Sequence, residues 1–319
     1  MKHCYLFLSL ILSPIMAQDD FFEPGYLIGG YGELHWNKEL DENGETKKNL
    51  MDFHRFIIYY GYNWTEKWSF KSEVELEHNF VADGEGELEL EQAYVNYHTD
   101  KWGFQGGVIL PSAGLINEYH EPPLFLSVER PDYNKYIIPT TWFGNGFAFY
   151  GNVADYNLRI ALIEDLEGEG ITTSSGIRGG RGKGSKTTGY SLVKNMSAVY
   201  TGIRSLRVGC SLTLNDAPYS QVKENSKITA ADVADSSLSI QIVEVNAKYN
   251  ANNIYAVFEY GQNSFEGNNF TSPLKTSRGY YLDLGYNIGE MVNTNRLIPW
   301  FRVSKVSTDV DTDSKITDY

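Results

Sequence analysis

The stretch from Lys67 to His78, KWSFKSEVELEH, alternates without a break. Trp68, Phe70, Ser72, Val74 and Leu76 fall on one side of an extended chain; Ser69, Lys71, Glu73, Glu75 and Glu77 fall on the other. A period of two makes this a strand with an apolar or small face and a charged face. Two environments suit such a strand. In a soluble sandwich the apolar face is the core; in an outer-membrane barrel it meets lipid and the charged face borders water.

The pattern recurs along the whole chain, and no convincing helical stretch follows residue 18. Thirteen runs read as strands: Tyr26–Trp36, Phe53–Tyr62, Trp68–His78, Glu87–His98, Trp102–Leu110, Trp142–Tyr150, Tyr156–Ile163, Asn195–Ile203, Leu206–Leu214, Ile240–Tyr249, Ile254–Tyr260, Tyr280–Ile288 and Leu297–Val306. Most are near the length a tilted membrane strand needs. Their connections alternate between short (NWTEK, TDK, GNVAD, RS, NANN, GEMVNTN) and long (38–52, 79–86, 111–141, 164–194, 215–239, 261–279). Short periplasmic turns and long outer loops produce this alternation in a membrane barrel, and a sandwich has no reason to sort its loops this way.

The faces agree. Leu206, Val208, Cys210, Leu212 and Leu214 oppose Arg207, Gly209, Ser211 and Thr213; Ile254, Ala256, Phe258 and Tyr260 oppose Tyr255, Val257 and Glu259. Trp68, Trp102 and Trp142 sit at strand ends, where a membrane interface favours amphipathic rings. The expected fold is therefore an all-β, antiparallel transmembrane barrel with its glutamates facing a wet lumen. Bacterial barrels have even strand numbers. Thirteen strands, with STDVDTDSKITDY read as the start of an acidic external loop, thus predict about three further strands, roughly 50–80 residues, beyond Tyr319.

Lys2 and His3, the apolar run Tyr5–Met16 and then Ala17 form a signal peptide, with residues 1–17 removed and the barrel occupying 18–319. The run is too short to span a bilayer as a helix. Cys4 has no small-residue cleavage box before it, and Cys210, alone in the mature chain, reads as a small apolar filler. A net charge of −14 argues against nucleic acid as a partner, because phosphate neutralisation needs clustered Lys and Arg.

Residues 88–146 are more specific than any period. LEQAYV, VILPSAGLINEYHEPP, SVERPDYNKYIIPTTW and the later GIRGGRGKGSK resemble outer-membrane porins of Bacteroidota grouped near the phosphate-selective porin O and P family. The resemblance extends over nearly all of the mature chain. It implies a barrel of roughly 16 strands when complete and passive passage of small solutes. Phosphate preference is not carried over, because the ladder of basic lumen residues used by phosphate-specific members cannot be placed here.

The 111–141 connection is rich in proline and holds Leu124, Phe125, Leu126, Tyr136, Ile137 and Ile138, which a freely solvated loop does not need. It reads as a segment folded onto the barrel wall, with Glu118, His120, Glu121, Glu129, Arg130, Asp132 and Lys135 as pore charges; a cap over the outer rim is the other reading. Glu118-x-His120-Glu121 lacks a second histidine at helical spacing, so no metal is assigned there.

GIRGGRGKGSK fails the phosphate-loop pattern, since Ile177 stands where the first glycine belongs and Gly184 where Ser or Thr belongs. Arg178, Arg181, Lys183 and Lys186 either oppose the lumen glutamates as a transverse field or sit on a solvated loop. Lys71, Glu73, Glu75 and Glu77, then Glu85, Glu87, Glu89 and Glu91, crowd one hairpin. Repulsion there could be relieved by water, Arg, calcium or cations bridging lipopolysaccharide. A phase shift near Gln92 predicts a bulge. Asp309-x-Asp311-x-Asp313 resembles the start of a calcium loop, but Ser314 replaces its glycine.

His35, His54, His78, His98 and His120 are isolated in sequence, in no nucleophile–base pattern. The expectation is a cofactor-free porin passing small polar solutes or ions, in contact with outer-membrane lipid and lipopolysaccharide and able to form a homotrimer. A plugged adhesion barrel is the second class and a barrel enzyme the third.

Overall fold

The computed structural model describes residues 22–82, 86–121, 124–219, 236–272, 274–309 and 314–318. The expected signal segment, Glu85, Asp311 and Asp313 lie outside them. The described residues form fourteen strands with only single-turn helical pieces between them. Two compact units divide after Tyr97.

The first unit holds β1 (Gly25–Leu40), β2 (Thr46–Asn63), β3 (Trp68–Glu77) and β4 (Leu88–His98), paired in sequence as antiparallel hairpins. The predicted loop 38–52 is mostly strand. β1 and β2 continue past the alternating region and leave a tight turn in which Asp41 Oδ1 accepts the Asn43 and Glu45 N–H groups at 2.9 and 2.8 Å, with Gly44 at φ 80°. An exposed hairpin needs no apolar face, so the polar sequence there hid the strands. The predicted bulge is present: Glu73 pairs with Gln92 and Val74 with Leu90, leaving Glu91 as the extra residue.

The second unit holds β5 (Trp102–Ile109), β6 (Gly144–Val153), β7 (Tyr156–Ile163), β8 (Val193–Tyr200), β9 (Leu206–Pro218), β10 (Ser237–Ala251), β11 (Ile254–Gly267), β12 (Thr276–Tyr286), β13 (Trp300–Asp309) and β14 (Ser314–Asp318). Each pairs antiparallel with the next. All thirteen expected strands exist, with shifted ends. β14 corrects the count: Ile316 pairs with Val306 inside the segment read as an acidic loop. Five residues are too few to display a period, so this strand is defined only by its partner. Among the described residues the strands thus number fourteen, one more than the sequence pattern displays.

The faces are inverted relative to a soluble protein. Glu259 is fully buried while its neighbour Phe258 is 38% exposed. Phe147, Phe149, Leu158, Ile160, Val243, Val245 and Phe301 are exposed, while Asn195, Thr213, Glu244, Asn263, Asp283 and Ser304 are buried. Apolar rings outward and carboxylates inward is the arrangement of a lipid-facing sheet. Cys210 lies on the exposed face with Val208. Trp68 and Trp102 are exposed at strand ends, as an interfacial belt requires. Trp142 is not part of that belt: it is 2% exposed, and β6 begins two residues later.

Candidate functional site

The β5–β6 connection lies on the polar face of the second unit. It contains two single turns of helix, α1 (Leu115–Glu118) and α2 (Tyr133–Tyr136). Its base is tied by Asn117, whose Nδ2 donates to the Pro111 and Trp142 carbonyls and whose Oδ1 accepts the Trp142 N–H at 2.8 Å. The Trp142 backbone is thus held to the start of the loop, and its side chain is buried.

Several strands then hold the loop. The Ser112 N–H donates to Asn195 Oδ1 of β8 at 2.9 Å, and the Leu115 N–H donates to Glu259 Oε1 of β11 at 2.9 Å. Asn263 Nδ2 of β11 donates to the Ile137 carbonyl at 2.8 Å. Arg207 of β9 donates to Glu118 Oε2 at 2.9 Å, Lys248 of β10 to the Leu124 carbonyl at 3.4 Å, and Arg302 of β13 to Ser127 Oγ at 3.0 Å. Leu115, Ile116, Ile137 and Ile138 are buried, and the Tyr133 ring packs 5.7 Å from Tyr281. Burial pushes the Tyr133 hydroxyl well above its ordinary range. At Gly261 a side chain would collide with Tyr133, Ile137 and Ile138, so its missing Cβ makes room for the loop. Of the two readings of 111–141, the structure has the segment on the wall; it is not a rim cap.

The expected charges divide into several roles. Glu118 is paired with Arg207. His120 is buried, with Nδ1 against the Asn117 carbonyl at 3.1 Å and Nε2 3.4 Å from Glu121. Arg130 donates to Thr140 Oγ1 and the His120 carbonyl, so it braces the loop. Glu129 and Lys135 are exposed, Lys135 over the Tyr136 ring at 5.1 Å, and Asp132 precedes α2. Arg181 donates to the Thr140 and Thr141 carbonyls at 2.8 and 2.7 Å and thus anchors the far end of the same loop. Arg178 and Lys186 are exposed and Lys183 is half-buried. In the first unit, Glu73 accepts from Gln92 at 2.5 Å and Glu75 lies 3.3 Å from Arg55; Glu77 is half-buried and Lys71 exposed.

Sequence reasoning did not single out the wall residues that do the holding. Ser211 and Asn246 both donate to Glu244, and Asn246 Oδ1 accepts from Arg207 at 2.7 Å. Asp283 is 1% exposed and takes a two-pronged contact from Arg302 at 2.7 and 2.8 Å. Arg159 donates to Ser112 and Gln105. Alternation already places Arg207 and Glu259 on the polar face, but nothing local distinguishes them from other polar-face residues. Glu164 and Asp165 were missed altogether. They accept the Gly184 and Tyr190 N–H groups at 2.8 and 2.7 Å and pin the glycine-rich loop.

A polar wall carrying an inserted loop, with apolar rings on the opposite face, defines an outer-membrane porin-type barrel. The phosphate-selective porin O and P family matches residues 29–295, and the chain belongs to that family. An uncharacterized protein of Aquifex aeolicus is 40% identical over 161 residues, 50% of this chain and 36% of the relative, so the match spans about a third of that relative's length. Among solved structures, the anion-selective porin from Comamonas acidovorans is 10% identical with a TM-score of 0.61, covering 92% of this chain and 81% of that one. Salmonella typhi OmpF in complex with daunomycin is 11% identical with a TM-score of 0.56, covering 92% and 82%. These two likenesses share the fold. The protein is located in the outer membrane.

Proposed function

We propose that the protein is a passive channel for small polar solutes or ions, exported by a leader ending at Ala17, and that its β5–β6 loop narrows the water-filled path. The observation that supports this most is the seating of residues 112–121 and 124–137 on the polar wall by hydrogen bonds with Asn195, Glu259, Asn263, Arg207 and Arg302. A loop held from several strands keeps a fixed aperture, and a fixed aperture sieves by size. Charges at that level act on ions: Arg207 and Lys248 stand directly opposite each other on β9 and β10, while Glu121 and Glu129 lie on the loop. The exposed apolar faces meet outer-membrane lipid, and homotrimers are the assembly proposed. The test is planar-bilayer conductance of the purified protein, alone and with residues 124–136 removed. The expected result is stepwise conductance that rises on deletion. No conductance from the folded wild type would favour the plugged barrel; conductance unchanged by the deletion would remove the loop from the path.

A further inference from the structure

Outside the loop, the first unit brings together three histidines that are far apart in sequence. Asp52 of β2 pairs directly with His35 of β1. Between the pairs Glu33–Arg55 and Leu34–Phe53 the register slips by one residue, and the extra residue is His54. Asp52 and His54, two residues apart, share a face by ordinary alternation; the bulge turns the successive His54 and Arg55 to the same side, so this face is the polar one and not that of the exposed Phe56. β3 then brings His78, whose N–H donates to the His54 carbonyl at 3.3 Å. His78 has φ 54°, a left-handed conformation that turns the chain out of the strand where its ring meets Asp52.

The side-chain geometry converges on one carboxylate. Asp52 Oδ1 lies 2.9 Å from His78 Nδ1 and Asp52 Oδ2 lies 3.1 Å from His54 Nδ1. One ligand atom from each of the three residues falls within 4.8 Å of the others. The edge of a zinc tetrahedron with nitrogen and oxygen ligands is about 3.3 Å, so this grouping needs little adjustment to close on an ion. His35 stacks on His54 with ring centres 4.4 Å apart and planes 12° from parallel; it is oriented by Glu33, which also contacts Arg55 at 3.2 Å. The three ligand side chains are 33, 29 and 42% exposed, so an ion can reach them without unfolding.

We propose that Asp52, His54 and His78 bind a divalent transition metal of the zinc class, with His35 as the supporting ring. Two imidazoles and a carboxylate select such ions over calcium or magnesium, which require oxygen ligands. A hydrogen-bonded bridge serving only stability is the competing account, and it needs one imidazole rather than three, with His35 stacked on His54 and His54 edge-on to His78 at 5.5 Å. The bound ion would cross-link β2 to the end of β3. The site is independent of conduction, so its failure would leave the channel reading untouched.

The test uses the full chain purified in detergent, stripped with chelator and titrated with cobalt(II), then competed with zinc(II). The expected result is a visible ligand-field absorption of one equivalent, bleached by zinc. His54→Gln, His78→Gln and Asp52→Asn, each checked for strand content by circular dichroism, should weaken binding at least about tenfold, since even supporting residues of metal sites contribute that much. His98→Gln should bind as wild type. Absence of binding by the folded wild type would overturn the proposal. So would affinity unchanged in the folded His54, His78 or Asp52 variants, because the ion would then sit elsewhere.

Discussion

Glu259 Oε1 accepts the N–H of Leu115 at 2.9 Å across 144 residues of sequence. The carboxylate belongs to the wall and the amide to the first turn of the inserted loop, so one buried bond ties the loop to the sheet. Gly114 beside it has φ 78°, and a Cβ there would lie 2.5 Å from the same oxygen. Glu259→Ala leaves a buried donor unpaired and should cost about 1–3 kcal/mol. Gly114→Ala should loosen the same corner. Urea unfolding in detergent measures the first effect; increased open-channel noise measures both.

Arg302 of β13 makes a two-pronged contact with Asp283 of β12. Arg302→Gln strands a buried carboxylate and should destabilise by roughly 3–5 kcal/mol, while the double variant with Asp283→Asn should recover much of that loss. A double-mutant cycle of unfolding free energies is the measurement, and additive single effects would contradict the pairing.

The loop acids Glu121 and Glu129 act on cations if the path runs past them. Replacing both with Gln should move the reversal potential in a salt gradient toward anions. A potential equal to that of wild type would place the ion path away from the loop.

Tyr133 offers a pH signature. Burial favours its neutral form, so its folded pKa lies above the unfolded value of about 10. A raised pKa means stability that is complete below about pH 10 and is lost as pH rises toward the folded value. Wild type should therefore lose loop stability at high pH faster than Tyr133→Phe, which has nothing to ionise there. Parallel loss in the two proteins would refute the assignment.

The tryptophans separate by environment. In single-tryptophan variants, brominated lipid should quench Trp68 and Trp102 and leave Trp142 bright, since Trp142 is buried while the other two are exposed.

The strands, their two faces and the bulge near Gln92 were legible in the sequence because alternation is local: each residue's side follows from its neighbour's, as KWSFKSEVELEH shows. The prolines and isoleucines of 111–141 likewise announced a packed loop. Long-range pairing decided the rest. Trp142 is buried and not in the interfacial belt, and its backbone is held by Asn117, 25 residues earlier. Arg181 braces the inserted loop rather than standing free, because Thr140 and Thr141 meet it from 40 residues away. β14 exists through its ladder to β13. His35, Asp52, His54 and His78 converge because one register slip in β2 breaks the alternation that would put Asp52 and His54 on the exposed side with Phe56, and because β1 and the end of β3 flank them. A register between strands is set by the sum of many weak cross-strand contacts, and no single stretch of sequence contains that sum.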